Sequence, residues 1–347
     1  MAKLVGVFST SHTPFCYMPP ENWNAIRATR ALRADVPMDD LEGSRKKFAT
    51  IQAAFEKLRT KMAEVRPDVI VVFGDDQMEC FDFKNFPSFA VYVGETFEGF
   101  ISSPAALAHD AFQSVGVTPP PEAAKLIEGA GPPTRATLKG HPGLGASLLS
   151  GLIQRGFDPA FSMEMPNPDF GLGHAFMRPA ETLTDMQTPI LPVLTNCYYA
   201  PQITARRSYQ LGVAVREAID EHPDDLRVAV VGSGGLWHTP ARKDAYLGED
   251  FDRKALDLMT KGDAKGAADY FDGYTPPAND LSQAPQPRGG ASTGMALSSG
   301  PQGGTRETCN WIAAAGVIDG TRSTIVDYVP VYSSPVGAGF SYAIDIS

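Results

Sequence analysis

Short runs of β-branched and aliphatic residues recur along this chain, separated by amphipathic segments. Six runs have the composition of buried strands: residues 4–8, 69–73, 89–93, 190–194, 228–231 and 325–331. Three intervening segments carry apolar residues at helical spacing: residues 44–66, 143–155 and 205–221. This alternation predicts an α/β fold, a three-layer α/β/α domain in which helices cover both faces of a central mixed sheet. Because we find no internal repeat or linker, we expect a single catalytic domain over residues 1–347.

The composition argues against nucleic-acid and membrane partners. The formal net charge is −10, which leaves no basic surface to hold a phosphate backbone. The sequence also lacks the run of about 18 to 20 apolar residues that a membrane helix needs, and its amino end has no signal-like apolar region. Four widely spaced cysteines without C-x-x-C pairing predict reduced thiols. We therefore expect a cytoplasmic protein.

Two regions have little regular pattern. Residues 101–142 mix Pro, Gly and Ala around a short helical stretch, and residues 275–306 are rich in Gly, Pro and Ser. A loop of about thirty residues within a compact domain is usually functional or mobile. We interpret residues 275–306 as a wall or lid of the site, with a solvated connection as the alternative.

Polar residues follow several of the predicted strands. In open α/β sheets, ligands bind beyond the carboxyl ends of the strands. These positions hold His12 in Ser-His-Thr-Pro, the Asp75-Asp76-Gln77 run, Thr195-Asn196, and His238 at the end of Gly-Ser-Gly-Gly-Leu-Trp-His. Four such strand ends are more than a chain would need if its histidines served packing alone.

Each candidate also has a structural interpretation. His12 could be a hydrogen-bonded turn residue, and Asp75 and Asp76 could form turns or caps. His238 could lie on the surface in a flexible glycine turn. The carboxylate of Glu307, at the start of a predicted helix, could interact with the helix dipole. We interpret two further histidines, His109 and His222, as surface residues.

Taken in order, the motifs resemble those of the LigB-like (class III) extradiol ring-cleavage dioxygenases. This is the family of the protocatechuate 4,5-dioxygenase β subunit and of the gallate and 3-O-methylgallate dioxygenases. The resemblance spans nearly the whole chain and rests on SHTP, VVFGDDQMECF, PSFAVYVG, ARRSYQLG, VAVVGSGGLWHTP and GTRETCNWIAAAG.

The resemblance implies an iron(II) ion held by two histidines and a glutamate, with another histidine as acid/base. His12 and Glu307 match two of the ligands, His238 matches the acid/base, and His174 resembles an additional active-site histidine. The remaining ligand position, a histidine in many members, is Gln77 here. An amide oxygen is a weaker donor than imidazole, so Asp76 or His174 could supply the missing ligand instead.

The resemblance also suggests the substrate and partners. The Gly-Asp-Asp-Gln variant is associated with a sub-branch acting on methoxylated or larger lignin-derived catechols, so we expect a catecholic aromatic acid and O2. Pocket residues would be Thr13, Phe15, Tyr17 and Asp76, with ordinary loop packing as the alternative for the first three. We expect a homo-oligomer such as a dimer, with a separate small subunit as the alternative.

Two other functions remain open. The same fold could support a metal-dependent hydrolase or lyase in which the ion activates water, and Gln77 favours this alternative. The chain could also be a non-catalytic relative that binds or regulates. The presence of His12, His238 and Glu307 together argues against that role.

Overall fold

An eight-stranded mixed sheet forms the centre of the computed structural model, which describes residues 1–101, 121, 124, 134–239, 242–283, 299–344 and 346. The strand order across the sheet is β6-β3-β7-β2-β8-β1-β10-β9, and β4 and β5 pair separately. The strands are β1 (Lys3–Thr10), β2 (Val69–Asp75), β3 (Phe89–Tyr92), β4 (Thr96–Phe100), β5 (Arg135–Lys139), β6 (Ala160–Ser162), β7 (Ile190–Thr195), β8 (Arg227–Ser233), β9 (Thr324–Val331) and β10 (Val336–Ile344).

Helices lie on both faces of this sheet. They are α1 (Trp23–Arg27), α2 (Leu41–Val65), α3 (Pro142–Gln154), α4 (His174–Leu183), α5 (Ala205–Asp220), α6 (Glu249–Thr260), α7 (Ala264–Gly273) and α8 (Thr308–Val317). Short 3₁₀ helices occupy Pro14–Cys16, Pro20–Asn22, Leu281–Gln283 and Gly303–Glu307.

The alternation of side chains along the strands divides the core into two layers. In β2, Ile70 and Val72 face the layer that contains α2 and α4. Val71 and Phe73 face the layer of α3, α5 and α8 on the opposite side. Every residue of β2 is buried, as expected of a strand covered on both faces. The predicted three-layer α/β fold with a central mixed sheet is confirmed.

Four strands at the centre run parallel, and this places their carboxyl ends at one edge. β1 pairs with β8, β8 with β2, and β2 with β7, all in parallel. In register, Thr10 lies opposite Ser233, and Asp75 opposite Thr195. The segments that follow these strands therefore meet at the same end of the sheet.

The structure extends and corrects the sequence interpretation. All six predicted strands and all three predicted helices are present. In the described part of the chain, four strands were not predicted: β4, β5, β6, and β10, which lies between β1 and β9. The prediction that His222 is a surface residue is wrong, because its side chain is buried and Nδ1 lies 2.9 Å from Ser147 Oγ. His109, most of residues 101–142 and residues 284–298 of the predicted lid lie outside the described residues.

Two findings concern the chain as a whole. In the part of the chain that the structure describes, no helix combines the length and apolar character needed to cross a membrane. The four cysteines are all buried free thiols, as predicted: Cys16, Cys80, Cys197 and Cys309.

Candidate metal centre

Three buried side chains converge beyond the carboxyl ends of β1 and β2. One ligand atom from each of His12, Asp75 and Glu307 lies within 4.8 Å of the other two. His12 follows β1, Asp75 ends β2, and Glu307 precedes α8. The fold therefore joins residues almost three hundred positions apart in one cluster that could hold a metal ion.

The imidazole of His12 is held between a hydroxyl and a carboxylate. Its Nδ1 lies 2.9 Å from Ser233 Oγ, and its Nε2 lies 3.2 Å from Glu307 Oε2. Burial lowers the pKa of His12 to about 4, outweighing the carboxylate that raises it. The ring is therefore neutral at pH 7, which is the state that binds a metal ion.

Glu307 projects into the site instead of capping the helix that follows it. It stands at the junction of the Gly303–Glu307 turn and α8, and in the described structure its side chain makes no cap hydrogen bond. The backbone N–H of Gly235 donates to Oε2 at 3.0 Å. Burial opposes ionisation, but the charge of His238 and hydrogen bonds with His12 and His238 hold the pKa of Glu307 well below its ordinary value.

Asp75 and Gln77 complete the cluster from the loop after β2. The amide Nε2 of Gln77 donates to Asp75 Oδ2 at 3.2 Å and to Glu307 Oε1 at 3.0 Å. Burial and the nearby charge of Glu307 raise the pKa of Asp75 well above its ordinary value. Gln77 thus links two carboxylates that would otherwise repel each other.

His238 lies on the other side of Glu307. Its Nε2 is 3.2 Å from Glu307 Oε1, and its Nδ1 is 3.0 Å from the carbonyl oxygen of Leu236. Burial alone would lower the pKa of His238, but the charge and hydrogen bond of Glu307 raise it to about 9. His238 therefore lies close enough to exchange protons with a group bound at the cluster.

His174 approaches from the start of α4, and Glu79 holds it. The rings of His12 and His174 lie edge to face with their centroids 4.6 Å apart. Nδ1 of His174 is 2.5 Å from Glu79 Oε1, which also accepts the backbone N–H of His174 at 3.1 Å. Burial lowers the pKa of His174, but the Glu79 carboxylate more than offsets this and raises it.

The predicted pocket residues Asp76, Phe15 and Tyr17 make contacts with the loops and helices around the cluster. The carboxylate of Asp76 accepts three backbone N–H groups of the following loop, a turn-forming arrangement. Phe15 is buried with its ring against Trp23, and Tyr17 packs on Phe55 of α2. Thr13 directly follows His12 and is buried.

Sequence reasoning did not select two residues of this centre. Asp75 was included in the polar run at the end of β2, with a turn or cap as its alternative, but it was not chosen as a metal ligand, and Glu79 was not considered. The strand-end rule selects Asp75, Asp76 and Gln77 together and does not tell which of them faces the site. No sequence signal identifies Glu79, because its partner His174 is 95 residues away.

The donor set suits a divalent cation. One imidazole and two carboxylates suit iron(II) or manganese(II) better than soft metals, which prefer thiolates. Within the described residues, Asp75 Oδ1 is buried and has no hydrogen-bond partner. An unpaired buried carboxylate oxygen is costly, and a metal ion at the centre of the cluster would satisfy it.

Comparison with known proteins gives relatives that are named as dioxygenases. Gallate dioxygenase from Pseudomonas putida is 33% identical over 137 residues, covering 38% of this chain and 39% of that protein. The 2,3-dihydroxyphenylpropionate/2,3-dihydroxicinnamic acid 1,2-dioxygenase of Photorhabdus laumondii is 27% identical over 192 residues, covering 55% and 49%. The Rhodococcus globerulus enzyme of the same name is 25% identical over 217 residues, covering 60% and 55%. The aligned segments thus span between 39% and 55% of these relatives' lengths.

A solved structure of an uncharacterized Escherichia coli K12 protein has a TM-score of 0.47 at 12% identity, covering 97% of this chain and 99% of that one. This likeness is too weak to carry an argument.

The family comparison covers most of the chain. The sequence pattern described as the catalytic LigB subunit of aromatic ring-opening dioxygenase matches residues 34–276. Asp75, Gln77, His174 and His238 lie inside this match, whereas His12 and Glu307 lie outside it and join the cluster through the fold. Since the match extends over more than half of the sequence, the chain belongs to the LigB family of aromatic ring-opening dioxygenase catalytic subunits.

Proposed function

We propose that this protein cleaves a catechol-type aromatic acid with O2 at a non-haem iron(II) ion, breaking the ring bond beside the diol. The relatives are named for gallate and 2,3-dihydroxyphenylpropionate, aromatic acids with adjacent hydroxyl groups. The Gly-Asp-Asp-Gln motif further suggests a lignin-derived acid. The observation that carries the proposal is the convergence of His12 and Glu307, with His238 beside them.

In this proposal His12 and Glu307 hold the metal with a third ligand from the loop after β2, where the resemblance puts Gln77. Iron(II) bound there would bind the diol and O2 and would pass electrons from the ring to oxygen. No external reductant is needed, because both atoms of O2 enter the ring-opened product.

His238 is the proposed acid/base. A backbone carbonyl accepts from Nδ1–H, so Nδ1 keeps its proton and Nε2 is the nitrogen that exchanges one. A metal ion bound to Glu307 would offset the charge that holds the second proton on Nε2, and Nε2 would then accept a proton from a substrate hydroxyl. The negative charge of Glu307 stabilises the imidazolium until the proton returns to the product. His174, fixed by Glu79, is proposed to hydrogen-bond the substrate or oxygen. Thr13, next to His12, is proposed to line the pocket.

An oxygen electrode tests the proposal directly. Protein reconstituted anaerobically with iron(II) would be offered protocatechuate, gallate, 3-O-methylgallate and biphenyl catechols, with 4-hydroxybenzoate as the monophenol control. We expect one O2 consumed per ring opened, a yellow product from at least one catechol, and no uptake with the monophenol. Glu307→Gln should lose this uptake. Iron-loaded protein that consumes no O2 with any catechol would overturn the proposal.

The two buried carboxylates favour one alternative, a hydrolase or lyase, because magnesium and manganese sites that activate water use carboxylate ligands. This activity would convert its substrate with O2 excluded. Product formation under anaerobic conditions would therefore support the alternative.

A further inference from the structure

The side chain at position 77 presents its amide nitrogen to the cluster. Nε2 of Gln77 donates to Asp75 Oδ2 and to Glu307 Oε1. An amide nitrogen is a donor without a lone pair available to a metal. Rotating the amide would bring its oxygen close to two carboxylate oxygens and remove both hydrogen bonds. The contacts therefore suit Gln77 to supporting the carboxylates.

Asp75 offers the cluster free oxygen lone pairs, which the amide nitrogen of Gln77 does not. Its Oδ2 accepts from Gln77, while Oδ1 is buried and, in the described part of the chain, has no hydrogen-bond partner. Asp75 is fully buried at the end of a central strand, and one of its oxygens lies within 4.8 Å of the ligand atoms of His12 and Glu307. An unpaired carboxylate in such a position points to a missing cation.

We propose that Asp75 supplies the third protein ligand, so that one histidine and two carboxylates hold the metal, while Gln77 orients the two carboxylates. The inference rests on the proposed function only in requiring a divalent metal at this site. It departs from the two-histidine, one-carboxylate set that the resemblance implies. Replacing imidazole with carboxylate shifts preference toward harder ions such as manganese(II) and iron(II).

Metal affinity separates the two roles. The hydrogen-bond partners of ligands typically contribute about 10- to 100-fold to affinity, and loss of a direct ligand should cost more. Titration with manganese(II), followed by electron paramagnetic resonance, should therefore show about 10-fold weaker binding for Gln77→Leu. Asp75→Asn should weaken binding by more than about 100-fold. If Gln77→Leu loses more affinity than Asp75→Asn, the inference is wrong.

The number of bound imidazoles gives a second measurement. Pulsed electron paramagnetic resonance of the manganese-loaded protein detects nitrogen atoms bound to the metal. We expect one imidazole signal in the wild-type protein, its loss in His12→Gln, and two imidazoles in Asp75→His. Two imidazoles in the wild-type protein, from His174 or His238 binding directly, would contradict the proposed ligand set.

Thermal unfolding controls for misfolding and needs no substrate. Asp75→Asn keeps the size of the side chain and can still accept from Gln77, so the metal-free variant should fold and unfold cooperatively, as the metal-free wild-type protein does. Manganese(II) should raise the Tm of the wild-type protein but leave that of Asp75→Asn unchanged. An equal rise in both proteins would refute the role of Asp75. Because these measurements use the metal alone, failure of ring cleavage would leave them interpretable.

Discussion

The protonation pattern of His238 is determined by its immediate neighbours. The Leu236 carbonyl accepts from Nδ1, while Nε2 faces Glu307. Gly304 lies against the same nitrogen, since a Cβ there would lie 1.9 Å from Nε2. The end of the segment at residues 275–306 thus contacts the imidazole, and any larger residue at position 304 would displace it.

Replacing His238 should impair chemistry more than metal binding. We expect His238→Gln to lower kcat about 10²- to 10⁴-fold, because a positioned acid/base contributes that much, and to change manganese(II) affinity only a few-fold. O2 uptake and metal titration on the same preparation measure both. His222→Gln is a matched control, a buried histidine bonded to Ser147 away from the cluster. A His238 variant that lost its metal would instead identify His238 as a ligand.

Glu79 is a positioning residue for His174. Glu79→Gln keeps the size of the side chain but removes the charge that orients the imidazole, so we expect kcat/KM to fall about 10-fold. In a His174→Ala background the same change should have little further effect, because the partner is absent. Kinetics of the two single variants and the double variant measure this coupling, and full additivity would rule it out. The exposed pair Glu98 and Arg135 offers Glu98→Gln as a control.

The sequence alone does not distinguish the roles of the neighbouring acids Asp75 and Asp76. The strand-end rule selects the whole Asp75-Asp76-Gln77 run, but adjacent residues at a strand end point in different directions. Asp75 faces the cluster, whereas Asp76 turns back to the loop amides. That difference depends on the pleat and register of β2, which the local sequence does not specify.

At the scale of elements, a glycine turn after β8 makes room for Glu307. Gly234 has a φ of +111°, and a Cβ there would lie 2.6 Å from Glu307 Oε2 and 3.1 Å from His12 Cε1. Only glycine allows both this backbone conformation and this close approach.

Gly234→Ala should therefore weaken metal binding as well as stability. We expect a loss of at least about 1 kcal/mol in the free energy of unfolding from the backbone conformation, and about 10-fold weaker manganese(II) binding from displacement of the ligands. Denaturant unfolding and metal titration measure the two effects. Gly156→Ala is the control, since Gly156 has a φ of +77° with no atom within 4 Å of an added Cβ in the described structure. Equal losses of metal affinity in both variants would contradict this explanation.

Hydrogen bonds from the first turn of α8 fix this helix to the strand ends beside the cluster. Asn310 donates to the Ser233 carbonyl and accepts from Thr195, and Trp311 donates to the Gly234 carbonyl. These bonds connect the helix that follows Glu307 to the ends of β7 and β8. The Glu-x-x-Asn-Trp spacing indicates the helix, but partners 77 and 115 residues away become visible only in the fold.

For the whole molecule, the layers were predictable but the strand order was not. Apolar periodicity reports whether an element is buried, and it indicated the six predicted strands correctly. β10 was missed because Gly337, Ala338 and Gly339 weaken its strand signal. Its position between β1 and β9 depends on pairings between distant parts of the chain, which no local pattern encodes.

Asp252, near the start of α6, connects several elements of the fold through a buried carboxyl group. The backbone N–H of Trp237 donates to Oδ1 at 2.8 Å, and Tyr328 of β9 donates to Oδ2 at 2.7 Å. Burial, with a smaller contribution from the charge of Glu249, raises the pKa of Asp252. The two hydrogen bonds and the charge of His238 offset part of this rise, and the resulting pKa is about 8. The native state therefore retains a proton that the unfolded chain releases near pH 4.

This carboxyl should make the molecule less stable as pH rises. Between about pH 4 and pH 8 the native state binds one more proton at Asp252 than the unfolded state. The free energy of unfolding is therefore highest near pH 4 as far as Asp252 is concerned, and it falls by up to about 1.4 kcal/mol for each pH unit above that. Asp252→Asn stays neutral and can still accept from Trp237. Denaturant unfolding from pH 5 to 9 should show the variant gaining stability relative to wild type as pH rises. Parallel pH profiles would mean that Asp252 is already ionised in the native state.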